Sequence, residues 1–429
     1  MRHYYSDPVR LILKALKFGR VFEAASKFSV DELRAYQLHR LQEIVSYAYQ
    51  HVPYYRKAYS KAGFEPGDLK SLEDFESLPY LTKEIIRRGD PDDFLSDDCA
   101  RMGVSFLKTS GTTGVPVQYG FDLDARAAAY AVVMKAFSQA GYRIGSCQLL
   151  IKESHYSTQP FTVSRLTNRV AVNAYMLSKA NVAACEEVLR HKCVRHIWAH
   201  PNALLEFATS CKDPHGIFRG LRGVTVMSEP LTDGLRMQLE NVLGAKVYNF
   251  YGNKEGTVVG YETTDDDFVL AEWFAFNEII PESADNLQRG EIVGTSFYNR
   301  GMPLIRYRMA DVVELQCSDI GRSYRKIVEV AGRTSEALTL PDGNKVRIFN
   351  LSKSNLANVK MFQIVQESLS KTFIDVVPVD KTVPVDGESM AGELSRYMGN
   401  EVLISVRIVE ALRKTPTGKT PRVISDIKI

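Results

Sequence analysis

The stretch 223–250, GVTVMSEPLTDGLRMQLENVLGAKVYNF, sets two short apolar runs, Gly223–Met227 and Lys246–Phe250, on either side of a helical segment, Asp233–Leu243. Val-rich runs of this length, bounded by Gly and Pro, read as strands. Strand, helix, strand in that order is the βαβ unit of a largely parallel, covered sheet. The same pattern extends upstream through Gln148–Ile151, the helical Val182–Arg190 and Arg195–Trp198. Residues 1–100 read instead as helical: Leu38, Leu41, Val45, Ala48 and Val52 alternate steps of three and four, and Pro53 stops that helix. Between Glu291 and Leu340 short alternating segments with turn residues predict antiparallel strands. The C-terminal part reads as a smaller mixed unit, with strands near Met361–Gln366, Thr372–Val377 and Leu403–Val409 and a helix over Gly387–Met398. The expected fold is α/β: a large N-terminal domain, residues 1–333, with mixed, largely parallel sheets covered by helices and a β subdomain, then a small α+β domain, residues 334–429.

Composition narrows the function. The chain has 429 residues, enough for two or three domains, with 45% hydrophobic and 24% charged residues. Lys plus Arg number 54 against 51 Asp plus Glu, a balance of +3, which gives no argument for nucleic acid as a partner. No apolar run approaches the roughly 18 residues of a membrane-spanning helix. The six cysteines, Cys99, Cys147, Cys185, Cys193, Cys211 and Cys317, are scattered without a C-x-x-C pair and read as small buried hydrophobes in a reducing cytoplasm. At the N-terminus, Arg10, Lys14 and Lys17 interrupt the apolar residues and no small-residue cleavage site follows, so the segment fails as a signal peptide. It has the character of a basic amphipathic helix; packing against the body is the expectation, and a membrane surface the alternative.

Five strings carry chemistry. Thr109-Ser110-Gly111-Thr112-Thr113-Gly114 is a loop of amides and hydroxyls that can cradle phosphate oxygens. It is not a Walker A loop, because no Gly-Lys-Ser/Thr follows at the required spacing. Near the C-terminus Gly418-Lys419-Thr420 resembles the end of a P-loop, but that motif needs glycine at 413, where Arg413 stands. Tyr248–Glu255 offers an amide (Asn249), aromatic faces (Phe250, Tyr251), a turn glycine (Gly252) and a carboxylate (Glu255), an inventory suited to a purine and a metal-bound phosphate. Arg306–Asp311 places one acid after a basic aromatic strand, and Gly332-Arg333 lies at the expected domain boundary. Each alone has a plain alternative: a flexible loop for Thr109–Gly114, a solvated tail lysine for Lys419, and a strand end with its turn for the other three.

Their order is more specific. A Ser/Thr/Gly loop, Asn-x-Tyr-Gly-x-x-Glu, Tyr-Arg-x-x-Asp, Gly-Arg and Pro-x-Gly-Lys in succession resembles the adenylate-forming superfamily of acyl-CoA synthetases, most of all its phenylacetate–CoA ligase and CapK-like family. Tyr47–Tyr55, Leu78–Lys83, Ser228-Glu229-Pro230 and Met361–Val365 are also similar to that family. The resemblance implies a mobile C-terminal domain. It implies that Thr109–Gly114 hold the β- and γ-phosphates of ATP, that Tyr251 stacks on adenine and Asn249 bonds its amino group beside Ser228-Glu229-Pro230. Glu255 would organise Mg²⁺, Asp311 take the ribose hydroxyls, Arg333 lie near the α-phosphate and Lys419 act in adenylation. The acid's pocket is expected near Trp198, His200 and Asn202. The sequence departs from the family pattern at Val115 (usually lysine), Ala310 (usually glycine) and Ser335 (usually aspartate).

The function implied is ligation of a carboxylic acid by way of an acyl-adenylate, with CoA as the expected acceptor. Alternatives are an amine acceptor, as for CapK-like relatives near capsular polysaccharide clusters, AMP transfer to a cofactor, or a silent family member; a homodimer is compatible with the family. The joint presence of Tyr251, Glu255, Asp311, Arg333 and Lys419 argues against silence.

Overall fold

The computed structural model describes residues 8–98, 103–108, 117–152, 158–229, 231–284, 286–316, 324–333, 338–343, 345–346, 351, 356, 358–399, 401–414 and 420–427. The chain opens with helices α1 (Pro8–Ala25), α2 (Val30–His51), α3 (Pro53–Lys61), α4 (Leu72–Phe75) and α5 (Lys83–Arg88). Strands β1 (Ser105–Lys108) and β2 (Gln118–Phe121) and helix α6 (Leu123–Gln139) follow. Then come β3 (Cys147–Lys152), β4 (Phe161–Ser164), β5 (Arg169–Asn173), α7 (Lys179–Arg190), β6 (Val194–Ala199), α8 (Pro201–Ser210), α9 (Pro214–Phe218), β7 (Gly223–Met227), α10 (Asp233–Leu243) and β8 (Val247–Gly252). Strands β9 (Val259–Glu262), β10 (Phe268–Leu270), β11 (Ala275–Ser283), β12 (Asn286–Ser296), β13 (Tyr307–Gln316) and β14 (Lys326–Arg333) succeed one another. The C-terminal elements are β15 (Leu338–Thr339), β16 (Lys345–Val346), β17 (Val359–Ser368), β18 (Lys371–Pro378), α11 (Gly387–Met398), β19 (Leu403–Ile408) and β20 (Val423–Ser425).

Two compact units emerge, residues 1–136 with 251–329 and residues 137–250 with 330–429. In the second, strands run in the order β4-β5-β3-β6-β7-β8. β5, β3, β6, β7 and β8 are parallel, and β4 is antiparallel at the edge. Alternation along the strands separates two faces. Leu149, Ile151, Ile197, Val224 and Val226 form one core with Val182 and Leu189 of α7, Leu204 and Phe207 of α8, and Leu235 and Leu239 of α10. Two glycines of the 223–250 stretch have specific jobs: a Cβ on Gly223 would fall 2.6 Å from the Ala140 carbonyl oxygen, and Gly244 ends α10 at φ 65°. Cys147, Cys185 and Cys211 are buried as expected, Cys193 is exposed against the expectation, and burial pushes the Cys185 and Cys211 thiols up to about 12.

The residues between these apolar positions put a polar layer on the opposite face. Gln148 Nε2 donates to His196 Nδ1 and His196 Nε2 meets Thr225 Oγ1, both at 2.9 Å. Phe137 packs on the imidazole, 4.6 Å between ring centres.

The C-terminal elements form a four-stranded sheet, β19-β18-β17-β20, under α11, with Phe362, Ile364, Ile374, Val376, Met390 and Leu394 in its core. It is tied to α10 by Thr232 Oγ1 donating to the Lys360 carbonyl (3.0 Å) and Gln238 Nε2 to the Val379 carbonyl (3.2 Å).

In the first unit the strand order is β11-β12-β13-β14-β10-β9, with β11, β12 and β13 successively antiparallel. Leu33, Leu41, Ile44, Val45 and Ala48 are the buried stripe of α2, and Pro53 both ends that helix and opens α3. Tyr55 donates to the Pro303 carbonyl (2.9 Å) and accepts from Ile305 N–H (3.0 Å).

Burial first, and then the Arg169 charge, push the His196 pKa down to about 3. The unfolded chain therefore takes up a proton that the folded chain refuses. Stability is complete above about pH 6.5 and falls as pH drops toward 3, by about 1.4 kcal/mol per pH unit from this group. Urea unfolding across that window should show a shallower acid slope for His196→Gln than for the parent; equal slopes would refute this account.

Candidate active site

Ligands of open parallel sheets bind where strands end at their carboxyl edge. Here β6 ends before His200, β7 before Ser228 and β8 at Gly252. His200 N–H donates to the Ile151 carbonyl at 3.0 Å, which fixes the turn into α8. His200 gives that helix no side-chain cap; Glu229 supplies one instead. Its Oε2 accepts from Asn202 Nδ2 at 2.7 Å and from the Asn202 backbone N–H at 3.4 Å. A carboxylate at a helix N-terminus is favoured by the backbone dipoles. Burial pushes the Glu229 carboxyl up, while the Asn202 bonds and the Lys414 charge pull it back. Asn202 is therefore a partner of Glu229, a role its position in the sequence did not reveal.

Ser228 leaves β7 at φ 69°. The register pairs Val226 with Asn249 and Met227 with Phe250, so Ser228 and Glu229 emerge beside the end of β8. Along β8, Asn249 and Tyr251 share one side and Phe250 the other. Trp198, on the face that carries His196, packs its indole on Phe137, 4.9 Å between centres. Its Nε1 and the Oδ1 of Asn202 are buried without a hydrogen-bond partner among the described residues.

The chain passes from the second unit to the first between Phe250 and Tyr251. In the first unit Tyr251 donates its hydroxyl to Asp311 Oδ2 at 3.0 Å. Thus two of the residues singled out in the sequence, 60 positions apart, are in direct contact. Asp311 is held by its strand: Glu291 of β12 accepts from Ala310 N–H (3.1 Å) and from Arg308 Nε (3.1 Å). Asn253 shapes the loop after Gly252, its Nδ2 donating to Thr257 Oγ1 (2.7 Å) and its Oδ1 accepting from Thr257 N–H (3.0 Å). Glu255 is half-buried in this loop. Burial raises the hydroxyl pKa values of Tyr119 and Tyr307, which share a 2.7 Å hydrogen bond, and the Glu255 charge raises them further.

Thr109, Ser110, Gly111, Thr112, Thr113, Gly114, Val115, Pro230, Ser335 and Lys419 lie outside the described residues, and Arg333 is described only as the last residue of β14. Arg306 entered the sequence reading only as the first residue of the string Arg306–Asp311, and Glu291 was given no role there. Arg308 reaches Glu291 on the neighbouring strand β12, and Arg306, just ahead of β13, reaches Glu278 of β11, one strand beyond.

With the geometry in place, likeness to known proteins becomes informative. Residues 338–426 match the CapK C-terminal domain. The phenylacetate–coenzyme A ligase of Aromatoleum evansii is 27% identical over 94% of this chain and 96% of its own length. That of Pseudomonas putida is 28% identical over 73% of each chain. A crystal structure of 2-hydroxyisobutyryl-CoA ligase in the postadenylation state, bound to an acyl-AMP, superposes with a TM-score of 0.73 at 20% identity, covering 94% of this chain and 91% of that one. The chain carries the fold of the adenylate-forming ligases. The resemblance to phenylacetate–CoA ligases, read from scattered motifs, extends along nearly the whole chain.

Ala310, standing where the adenylate-forming pattern has glycine, adopts φ 62°. That left-handed conformation costs a side-chain-bearing residue about 1 kcal/mol, more for a β-branched one. Ala310→Val should destabilise the protein by about 1–2 kcal/mol, and Ala310→Gly should be neutral or stabilising by up to about 1 kcal/mol, read from urea midpoints. A Val variant as stable as the parent would show that this backbone is not constrained.

Proposed function

We propose that this chain is an AMP-forming ligase: it adenylates a carboxylic acid with MgATP, releases pyrophosphate, and passes the acyl group to the thiol of coenzyme A. The observation that carries the reading is the hydrogen bond from Tyr251 to Asp311, made at the carboxyl end of the strand that also bears Asn249. An aromatic face, an amide and a carboxylate at such an edge are what a nucleoside requires.

In this reading Tyr251 stacks on adenine with Phe250 and Gly252 beside it, Asn249 bonds the adenine amino group, and Ser228, Glu229 and Pro230 line the adjoining wall. Asp311 takes the ribose hydroxyls and Arg333 lies near the α-phosphate. The amides and hydroxyls of Thr109–Gly114 hold the outer phosphates. Glu255, a half-buried oxygen donor, has the chemistry that suits Mg²⁺, which when bound offsets phosphate charge.

The acid needs no general base, since its pKa of about 4 leaves it ionised at neutral pH. The obstacle is electrostatic, one anion approaching another, and the remedy is positioned N–H groups and cations. Lys419 supplies such a cation from a C-terminal domain, residues 334–429, whose hinge motion then withdraws it and admits the thiol. The unpartnered Trp198 Nε1 and Asn202 Oδ1 favour an acid with a hydrogen-bonding substituent over a plain aryl acid, with His200 also at the pocket. The second reading keeps the adenylation step and delivers the acyl group to an amine, as the resemblance to CapK-like proteins implies.

Lys419→Ala should lower acid-dependent ATP–pyrophosphate exchange by about a hundred- to a thousandfold while ATP binding persists. Exchange at the parental rate would remove Lys419 from the reaction. Pyrophosphate release from an acid panel, without acceptor and with CoA or amines, separates the two acceptors, and no release with any acid would refute a ligase.

A further inference from the structure

Helix α1 presents two apolar stripes, and the protein body uses one of them. Leu11, Ala15, Phe18, Phe22 and Ala25 recur at helical spacing. Phe18 packs edge-on against Tyr298 (4.9 Å between centres) and Phe22 against Trp273 (4.6 Å). On the far side of the same helix Ile12, Leu13 and Leu16 are 50%, 62% and 48% exposed. At 100° per residue these three fall within one third of the helix circumference, opposite the packed stripe. Large apolar side chains clustered in this way mark an interaction surface, whereas scattered ones need no explanation.

The charges around this stripe decide its occupant. Arg10, Lys17 and Arg20 are exposed beside it, and from Pro8 to Phe22 the helix contains no acid. The first acid, Glu23, is engaged by Lys135 (2.7 Å) and Lys27 (3.0 Å). The first turn of the helix holds no acid. A second copy seated on the stripe would set two basic flanks against each other, with Glu23, already engaged by two lysines, the one carboxylate of α1 near them. An anionic lipid surface offers the complementary charge to the flanks and an apolar layer to the stripe.

We propose that α1 docks this protein on anionic membrane surfaces, with Ile12, Leu13 and Leu16 entering the acyl boundary and Arg10, Lys17 and Arg20 at the headgroups. No helix among the described residues is long and apolar enough to cross a membrane, so the contact is peripheral. It is independent of the ligase reading, since it rests on α1 alone.

Vesicle flotation of the full chain tests it, with phosphatidylcholine vesicles against equimolar phosphatidylcholine and phosphatidylglycerol. The parent should float with the anionic vesicles only, and less so at high salt, because screening shortens the reach of charge to about 3 Å at 1 M. Leu13→Glu with Leu16→Glu, and separately Arg10→Glu with Lys17→Glu, should each lower the partition coefficient about tenfold or more at unchanged melting temperature. Both pairs are exposed, and either one suffices if the other perturbs folding. Equal flotation of parent and both variants overturns the proposal, as does indifference to phosphatidylglycerol. A parental dimer in light scattering that the Leu variant dissolves, without vesicle binding, assigns the stripe to a second copy instead.

Discussion

A single guanidinium organises the strand on which the ribose-binding candidate sits. Arg306 is 4% exposed and stands at φ 49°. Its Nε and Nη2 bond the Glu278 carboxylate at 3.1 and 2.6 Å, its Nη1 bonds the carbonyls of Glu76 and Leu78, and its plane lies 4.2 Å from the Tyr80 ring. The backbone agrees: Leu81 N–H donates to the Arg306 carbonyl (3.0 Å), and Arg308 N–H to the Leu81 carbonyl (2.9 Å). Removing one partner of a buried pair costs about 3–5 kcal/mol, because the other charge stays behind without compensation. The loop 76–81, β11 and the start of β13 thus hold one another, and Asp311 inherits its position from that clamp.

The fold was legible where periodicity is strong. Gly223–Met227 and Asp233–Leu243 are bounded in the structure as the residues suggest, and Gly387–Met398 is helical throughout. Strand pairing was less legible, because alternation reports which side of a strand is buried and is silent on its neighbour. The placement of β4 antiparallel beside β5 follows from no local signal in Phe161–Ser164. Of the candidate site, Tyr251 and Asp311, singled out by the order of their motifs, are in contact in the structure. The holding roles of Glu291 and Arg306 were not legible, because their partners are set by which strands and loops lie beside them and not by local spacing.

Two of the marked residues also have backbones that sequence alone does not show. Ser228 and Ala310 both adopt positive φ without being glycine. Each lies in a motif, directly after a strand for Ser228 and directly before Asp311 for Ala310. Residues persist in that region when their surroundings over-determine them. For Ala310 the determinant is visible: its N–H and the Arg308 guanidinium share the Glu291 carboxylate, which fixes the peptide leading into Asp311. The glycine-to-alanine departure, conservative in size, is thus made at a point of conformational demand.

The helix that follows β6 limits where phosphate can bind. A helix N-terminus is an anion site, since its first N–H groups are free and its dipole favours negative charge. At α8 that role is filled from within the protein: Glu229 accepts both the Asn202 backbone N–H and the Asn202 side chain. A phosphate there would have to displace a carboxylate whose burial already disfavours its charge. The occupied terminus makes α8 a device for holding the Ser228–Glu229 turn beside β8 and not a phosphate cradle. In the proposed ligase reading the outer phosphates would take their N–H donors from elsewhere, and Thr109–Gly114 is the stretch of the sequence expected to supply them.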